Sequence, residues 1–274
     1  MILVAGGTGR LGALVVAGLT ARGERVRVLT RDPTRAASLE GPLVEVALGD
    51  VREPSSLGPA VAGARTVVSA VHGFAGPGRV NPESVDRDGN ANLVASARAA
   101  TADMVLVSVF GATTRHPMEL FRMKAAAEDN LRASGVPWTI VRATAFLELY
   151  LDLMRRTAGG SGRPLVFGRG QNPINFVAVT DVAHTVVDAA LDPSQRGRIS
   201  TVTGPRNLTM NELAAMAQQD LSTARTPKHV PRAALHVLAA SHLVGNSAMS
   251  RQANAALIMD TIDMTVDRDH GPDI

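Results

Sequence analysis

The chain predicts an α/β fold, a doubly wound parallel sheet covered by helices on both faces, followed by a smaller C-terminal region. Three observations predict it. The chain opens on an apolar run, Met1 to Ala5, that passes directly into Gly6-Gly7-Thr8-Gly9-Arg10-Leu11-Gly12 and then into the helix-like stretch Leu14 to Leu19. Short apolar runs then alternate with helical patterns as far as residue 143. The chain is 45% hydrophobic but only 3% aromatic, so its core must be built from Val, Leu, Ala, Ile and Met, which suits strands buried on both faces.

The elements follow in order. Residues 1–5 form the first strand and about 11–22 its helix. Arg25 to Leu29 is the second strand, and a short helix occupies 33–39 with Pro33 in its first turn. Leu43 to Ala47 is the third strand, ending at Gly49-Asp50, and a helix near 53–62 follows. Thr66 to Ala70 is the fourth strand, with a helix from about 83 to 100. Met104 to Ser108 is the fifth, with a helix over about 117–134, and Trp138 to Arg142 is the sixth. Beyond residue 143 the pattern loosens. Residues 158–173, rich in Gly, Arg and Pro, read as a mobile loop. Phe176 to Val179 and Ile199 to Val202 read as strands, Thr180-Asp181 caps a helix through about 191, and Thr209 with Glu212 forms a capping-box pattern. Residues 205–274 read as mostly helical, with a polar tail after Met264. The helix at 209–221 reads as an amphipathic covering helix, because no basic recognition helix follows it.

Composition removes several classes of function. There is no cysteine, which excludes disulfides, iron–sulfur clusters and thiolate zinc sites. The seven histidines are dispersed, and no H-E-x-x-H, G-x-S-x-G or G-x-x-x-x-G-K-[ST] pattern occurs. Net charge is +3, carried by scattered arginines, with lysine only at Lys124 and Lys228. That distribution reads as solvated surface, and neither a nucleic-acid face nor a membrane face is expected. No run reaches the ~18 apolar residues of a membrane span. The first residue already belongs to the first strand, so the expected location is the cytoplasm.

The glycine spacing has a physical cause. Gly7, Gly9 and Gly12 fit G-x-G-x-x-G, and Gly6, Gly9 and Gly12 fit the variant with one more spacer. Early glycines permit the turn, a middle one lets a pyrophosphate approach the backbone, and the last lets helix and strand pack closely. The helix N-terminus then offers free N–H groups to the phosphates. After an N-terminal strand, this pattern points to a dinucleotide. An acid following the second strand would bind a ribose 2′-hydroxyl, but here Thr30-Arg31 stands there, with Asp32 next. Arg31, assisted by Arg10 and Arg35, suits a 2′-phosphate, so NADP is favoured over NAD. Gly49, Asp50 and Val51 follow the third strand, where an acid can accept from an adenine amino group or cap the next helix. Ala70, Val71 and His72 leave the fourth strand beside the cofactor. His72 is a candidate contact to substrate or phosphate, against the alternative of a plain surface histidine.

With these segments in hand, the chain resembles the NmrA-like atypical short-chain dehydrogenase/reductases, which carry an NAD(P)-binding Rossmann core. The matching segments are Gly6 to Gly12, Leu29-Thr30-Arg31, Gly49-Asp50, Val107 to Gly111, Phe121-Arg122-Met123-Lys124, Ser134 to Arg142, and Val179 to Ala183. Together they span about residues 1–220. The resemblance implies a Rossmann core over 1–143 and a region over 144–274 that completes the sheet edge and forms the substrate cleft. It implies cofactor contacts from Gly6, Gly7, Thr8, Gly9, Arg10, Leu11, Gly12, Arg31, Gly49, Asp50, Val51, Ala70, Val71, His72, Ser108, Val109, Lys124, Ala143, Thr144 and Phe146. Catalytic members of the wider superfamily carry a Tyr one helical turn ahead of a Lys on one helix face, and that Tyr position here is Phe121. Lys124 is then the leading catalytic candidate, or else a purely cofactor-positioning group. Phe110, Phe121 and Phe146 are either an apolar lid or core. The resemblance implies an NAD(P)H-dependent reductase acting on a small organic acceptor, such as a quinone or an aromatic or polyketide-like compound, as a monomer or homodimer. The alternatives are an NADP(H)-binding redox sensor and a non-redox enzyme that keeps the nucleotide fold.

Overall fold

The structure, a computed structural model, describes residues 1–219, 225–240 and 247–267. In chain order the strands and helices are β1 (Ile2–Ala5), α1 (Arg10–Ala21), β2 (Val26–Thr30), β3 (Val44–Leu48), α2 (Pro54–Val61), β4 (Thr66–Ser69), α3 (Asp88–Ala99), β5 (Asp103–Val109), α4 (Glu119–Ala133) and β6 (Trp138–Ala143). They continue as β7 (Ala145–Phe146), α5 (Leu147–Ala158), β8 (Leu165–Phe167), β9 (Ile174–Val177), α6 (Val179–Leu191), β10 (Arg198–Val202), β11 (Asn207–Leu208), α7 (Met210–Gln218), β12 (Lys228–Val230), α8 (Arg232–Ala240) and α9 (Ser247–Met259). The chain divides into two compact units: 1–73, 79–143 and 179–202 form the first, and 74–78, 144–178 and 203–274 the second.

The first unit holds a seven-stranded sheet in the order β10-β6-β5-β4-β1-β2-β3, with every pairing parallel. The order reverses between β1 and β4, the switch point at which doubly wound sheets bind ligands beyond the carboxyl ends of their strands. Ile2, Leu3, Val4 and Ala5 are buried throughout, as a central parallel strand requires. In α1, the residues Leu11, Val15, Val16 and Leu19 form the apolar stripe. A Cβ on Gly18 would stand 2.9 Å from Val187, which shows how closely α1 and α6 approach. The helix expected over 83–100 begins with a π-helical turn, Pro82–Arg87, capped reciprocally by Asn81 and Ser84. The chain returns to this unit for α6 and β10, and β10 takes the sheet edge beside β6.

The second unit contains a three-stranded sheet, β11-β9-β7, and a parallel pair of β12 with β8. Here the structure corrects the expectation of a loop over 158–173: Leu165, Val166 and Phe167 form β8, because His229 and its neighbours supply a pairing partner distant in sequence. The predicted helical tract beyond 205 is likewise interrupted by β11 and β12. The expected polar tail lies mostly outside the described residues. Asp260 ties this unit together. Its carboxylate accepts the backbone N–H groups of Arg169 and Gly170 and pairs with the Arg232 guanidinium at 2.6 Å.

No described helix is long and apolar enough to cross a membrane, and no group of described His, Asp and Glu side chains could hold a metal ion.

Candidate functional site

The glycine loop sits at the switch point between β1 and β4. Gly6 adopts φ +86°, the left-handed region that a side chain disfavours, and a Cβ there would lie 2.6 Å from the Ala70 carbonyl oxygen. A Cβ on Gly12 would lie 2.1 Å from the Gly6 carbonyl oxygen, so α1 packs against the turn only because that position is bare. Gly9 N–H donates to Gly6 O, and Ala13 N–H to Gly9 O. No side chain caps α1 and its first turn holds no acid. The amides at the start of α1 therefore form an anion cradle at the carboxyl edge of the sheet. A dinucleotide pyrophosphate fits it.

Arg31 and Arg35 stand exposed past β2, and Arg10 is exposed at the start of α1. Asp32, the acid next to Arg31, turns into the following 3₁₀ turn. Its carboxylate accepts Thr34 N–H at 3.0 Å and Thr34 Oγ1–H at 2.7 Å, and those bonds hold its pKa below the ordinary aspartate value. At the end of β3, Gly49 N–H donates to Thr30 O. Burial raises the Asp50 pKa, but bonds from the Arg52 guanidinium and amide, with the Arg31 charge, outweigh it and leave the carboxyl low. Asp50 does not cap α2, whose N-cap is Glu53; it organises the turn before it. Val51 is buried beside it.

Lys124 lies on α4 with its side chain 5% exposed, and its ammonium group makes two hydrogen bonds and one ion pair. Its Nζ donates to Val71 O at 3.1 Å and Val107 O at 3.0 Å, and lies 3.0 Å from Asp86 Oδ1. The lysine thus pins the segment after β4, the end of β5 and the π-helical turn to one point. Asp86 is fully buried, and its Oδ2 accepts Gly73 N–H at 2.9 Å. Burial pushes the Asp86 pKa up, yet the Lys124 charge, His72 and the Gly73 amide prevail and hold it low. His72, 51% exposed, lies 3.9 Å from the same carboxylate. Ser69 Oγ–H donates to Asn90 Oδ1, and Asn90 Nδ2–H donates to the Asp86 carbonyl, which continues the buried polar chain. Ser108, at the end of β5, is buried with an Oγ that has no hydrogen-bond partner among the described residues. Val109 pairs with Ala143 across the β5–β6 register.

Phe121 and Leu120, three and four positions ahead of Lys124, are buried and carry no proton to give. The Phe121 ring stacks on the His116 imidazole, with centroids 4.0 Å apart and planes within 12°. Thr144 and Phe146 belong to the second unit. There Thr144 Oγ1–H donates to Asn175 Oδ1, and Phe146 pairs with Val177. Tyr150, the one tyrosine in the chain, is also in that unit. Its hydroxyl donates to Met259 Sδ, and burial pushes its pKa up to about 12.

Sequence reasoning missed Asp86, Asn90 and His116. For the first two a signal existed. Asp86 and Asn90 fall on the same helical stripe as Leu93, Val94 and Ala97, and polar residues on an apolar stripe must find buried partners. For His116 no local pattern pointed to Phe121.

Comparison with known proteins places the chain in a family. The sequence profile of the NAD(P)H-binding family matches residues 6–193. The chain is 29% identical over 219 residues to an NAD(P)H azoreductase of Xenophilus azovorans, covering 78% of this chain and 72% of that one. It is 30% identical over 223 residues to the (4-alkanoyl-5-oxo-2,5-dihydrofuran-3-yl)methyl phosphate reductase of Streptomyces griseus, covering 81% and 74%. Its fold matches an NADPH-dependent quinone oxidoreductase of Escherichia coli solved with NADPH, at TM-score 0.78 and 20% identity over 98% of this chain and 92% of that one. It also matches the Citrobacter triphenylmethane reductase solved with NADP(H), at TM-score 0.76 and 21% identity with the same coverage.

Proposed function

Because the chain belongs to the NAD(P)H-binding family, within the NmrA-like class of atypical short-chain dehydrogenase/reductases, we propose that it is an NADPH-dependent reductase of small conjugated acceptors such as quinones and azo compounds. The observation that carries this reading is the bare glycine cradle at the switch point, where a Cβ at Gly6 or Gly12 would strike backbone. In this reading the amides at the start of α1 bind the pyrophosphate. Arg31, with Arg10 and Arg35, binds the 2′-phosphate, and Asp32 offers no competition because Thr34 already engages its carboxylate. Val51 and the Asp50 turn border the adenine. The backbone of Ala70, Val71 and His72 and the ends of β5 and β6 at Ser108, Val109 and Ala143 flank the nicotinamide half.

When bound, the reduced nicotinamide supplies hydride. The protein contributes orientation and exclusion of water. Lys124 acts by position: its ammonium donates to Val71 O and Val107 O and pairs with Asp86, which fixes the strand ends that frame the ring. The helix face carrying Lys124 presents no titratable proton at Phe121 or Leu120, so the preferred acceptors are those that delocalise the incoming electron pair and take their proton from water. The same observation favours a second reading, an NADP(H) sensor without turnover.

The test is NADPH oxidation followed at 340 nm with menadione and methyl red, alongside calorimetric titration with NADPH, NADP and NADH. The reductase reading expects turnover. Tight binding of both NADPH and NADP with no turnover supports the sensor. Arg31→Ala is expected to weaken NADPH by ~10–100-fold, the loss of one charge-assisted contact, with NADH changed less than about twofold. Equal losses for the two coenzymes reject the NADP assignment.

A further inference from the structure

We propose that His116, through its Nε2–H, is the hydrogen-bond donor to the reducible oxygen or nitrogen of the acceptor, in place of a tyrosine on α4. The inference rests on the reductase reading and extends it to a named residue. Three features of the loop between β5 and α4 carry it. First, the His116 ring lies flat on Phe121 at 4.0 Å, so it is held by packing against the same helix whose next turn, about 4.5 Å along the axis, carries Lys124. Because Lys124 reaches Val71 O and Val107 O, this face of α4 lies at the carboxyl ends of β4 and β5, where ligands of such sheets bind. Second, His116 Nδ1 accepts the Met118 backbone N–H at 3.0 Å. A neutral imidazole that accepts at Nδ1 carries its single proton on Nε2. Third, no described residue takes that Nε2–H, so the donor is left to an outside partner.

The surroundings keep the ring in that form. Burial pushes the His116 pKa down, and the positive charge of Arg122 acts in the same direction. The Arg122 guanidinium is the charged group facing this loop, donating to His116 O and Pro117 O at 2.8 Å each, and so fastening the loop to α4. A neutral imidazole polarises a carbonyl as a donor and does not act as an acid. The hydride and its electron pair pass from the reduced nicotinamide to the acceptor, which is thereby reduced. The oxyanion or amide anion formed is stabilised by Nε2–H and takes its proton from solvent water. No bond of His116 breaks.

A plain structural role, as a cap for the start of α4, makes different predictions. His116→Asn keeps an acceptor for Met118 N–H but has no donor at the ε position. His116→Phe keeps the stack but loses both the cap and the donor. The proposal expects both variants to bind NADPH within about twofold of wild type and to lose ~100-fold or more in kcat with menadione, with KM shifted much less, as removal of one preorganised donor does. It also expects the imidazole Nε2–H proton of the wild-type protein with NADP bound to move downfield when menadione is added. Full kcat in His116→Asn, or a loss that tracks thermal stability across the two variants, overturns the assignment while leaving the reductase reading intact. Failure of the wild-type protein to oxidise NADPH with either menadione or methyl red overturns both.

Discussion

Replacing Lys124 by Met tests whether the lysine is chiefly a buried clamp. The substitution leaves a carboxylate that is fully buried, with one amide donor from Gly73, and two carbonyls, Val71 O and Val107 O, without their cationic donor. Removing one partner of a buried ion pair costs about 3–5 kcal/mol, because the remaining charge is uncompensated. For a chain of this size each kcal/mol lowers Tm by roughly 2–4 °C, so the variant should melt on the order of 10 °C below wild type at neutral pH. The pH dependence gives the loss its signature. Burial is the strongest influence on Asp86 and raises its pKa; Lys124 is the strongest influence lowering it. Without Lys124 the largest lowering influence is gone, and the folded-state pKa is expected to rise above the unfolded value. A raised carboxyl favours the folded state below the unfolded pKa and loses that contribution as pH rises through the folded pKa. The deficit of Lys124→Met should therefore grow as pH rises from the ordinary aspartate pKa, about 3.9, toward neutral. Circular-dichroism melts of wild type, Lys124→Met, Asp86→Asn and the double variant measure this, and the double variant should lose less than the sum of the singles. Additivity of the single losses to within about 0.5 kcal/mol, or a Lys124→Met melt within 2 °C of wild type at about pH 8, would falsify the clamp.

Other outcomes are expected. Gly12→Ala drives a methyl to within 2.1 Å of the Gly6 carbonyl oxygen, and should cost roughly 1–3 kcal/mol of stability and weaken NADPH binding in calorimetry; unchanged affinity contradicts the cradle. Thr101 is the one described non-glycine residue with positive φ, +53°, just past α3, and Ala102 N–H closes back on Ala97 O. Thr101→Gly should raise stability by about 1 kcal/mol in denaturant melts, since only a left-handed backbone without a Cβ is asked for there. In wild type, Asp50, Asp86 and Asp260 all have folded pKa values below 3.8. Their contribution is present above that value and lost as pH falls through the folded values, so the acid limb of a stability profile should steepen below about pH 4 and flatten in Asp260→Asn.

Much of the first unit was legible from residue order because its signals are local. A buried parallel strand needs a continuous apolar run, and β1, β4 and β5 are such runs. The glycine turn needs bare positions at fixed spacing, and Gly6 and Gly12 each fill a place where a Cβ would hit backbone. The second unit was less legible. Leu165 to Phe167 is a strand only because Lys228 to Val230 comes alongside, and a three-residue run amid glycine and proline carries no period of its own.

The amino-acid order by itself determined the sheet class, the glycine bend at its switch point, and the lack of a proton donor one turn before Lys124. These follow from chemistry within a few residues of one another. Tertiary structure alone decided what the polar groups do. Asp86 meets Lys124, Thr34 draws Asp32 away, and His116 lies on Phe121 with one nitrogen engaged and one available. A buried charge takes its role from whatever the fold brings within about 3 Å, and for Lys124 those neighbours are 17 to 53 residues away along the chain.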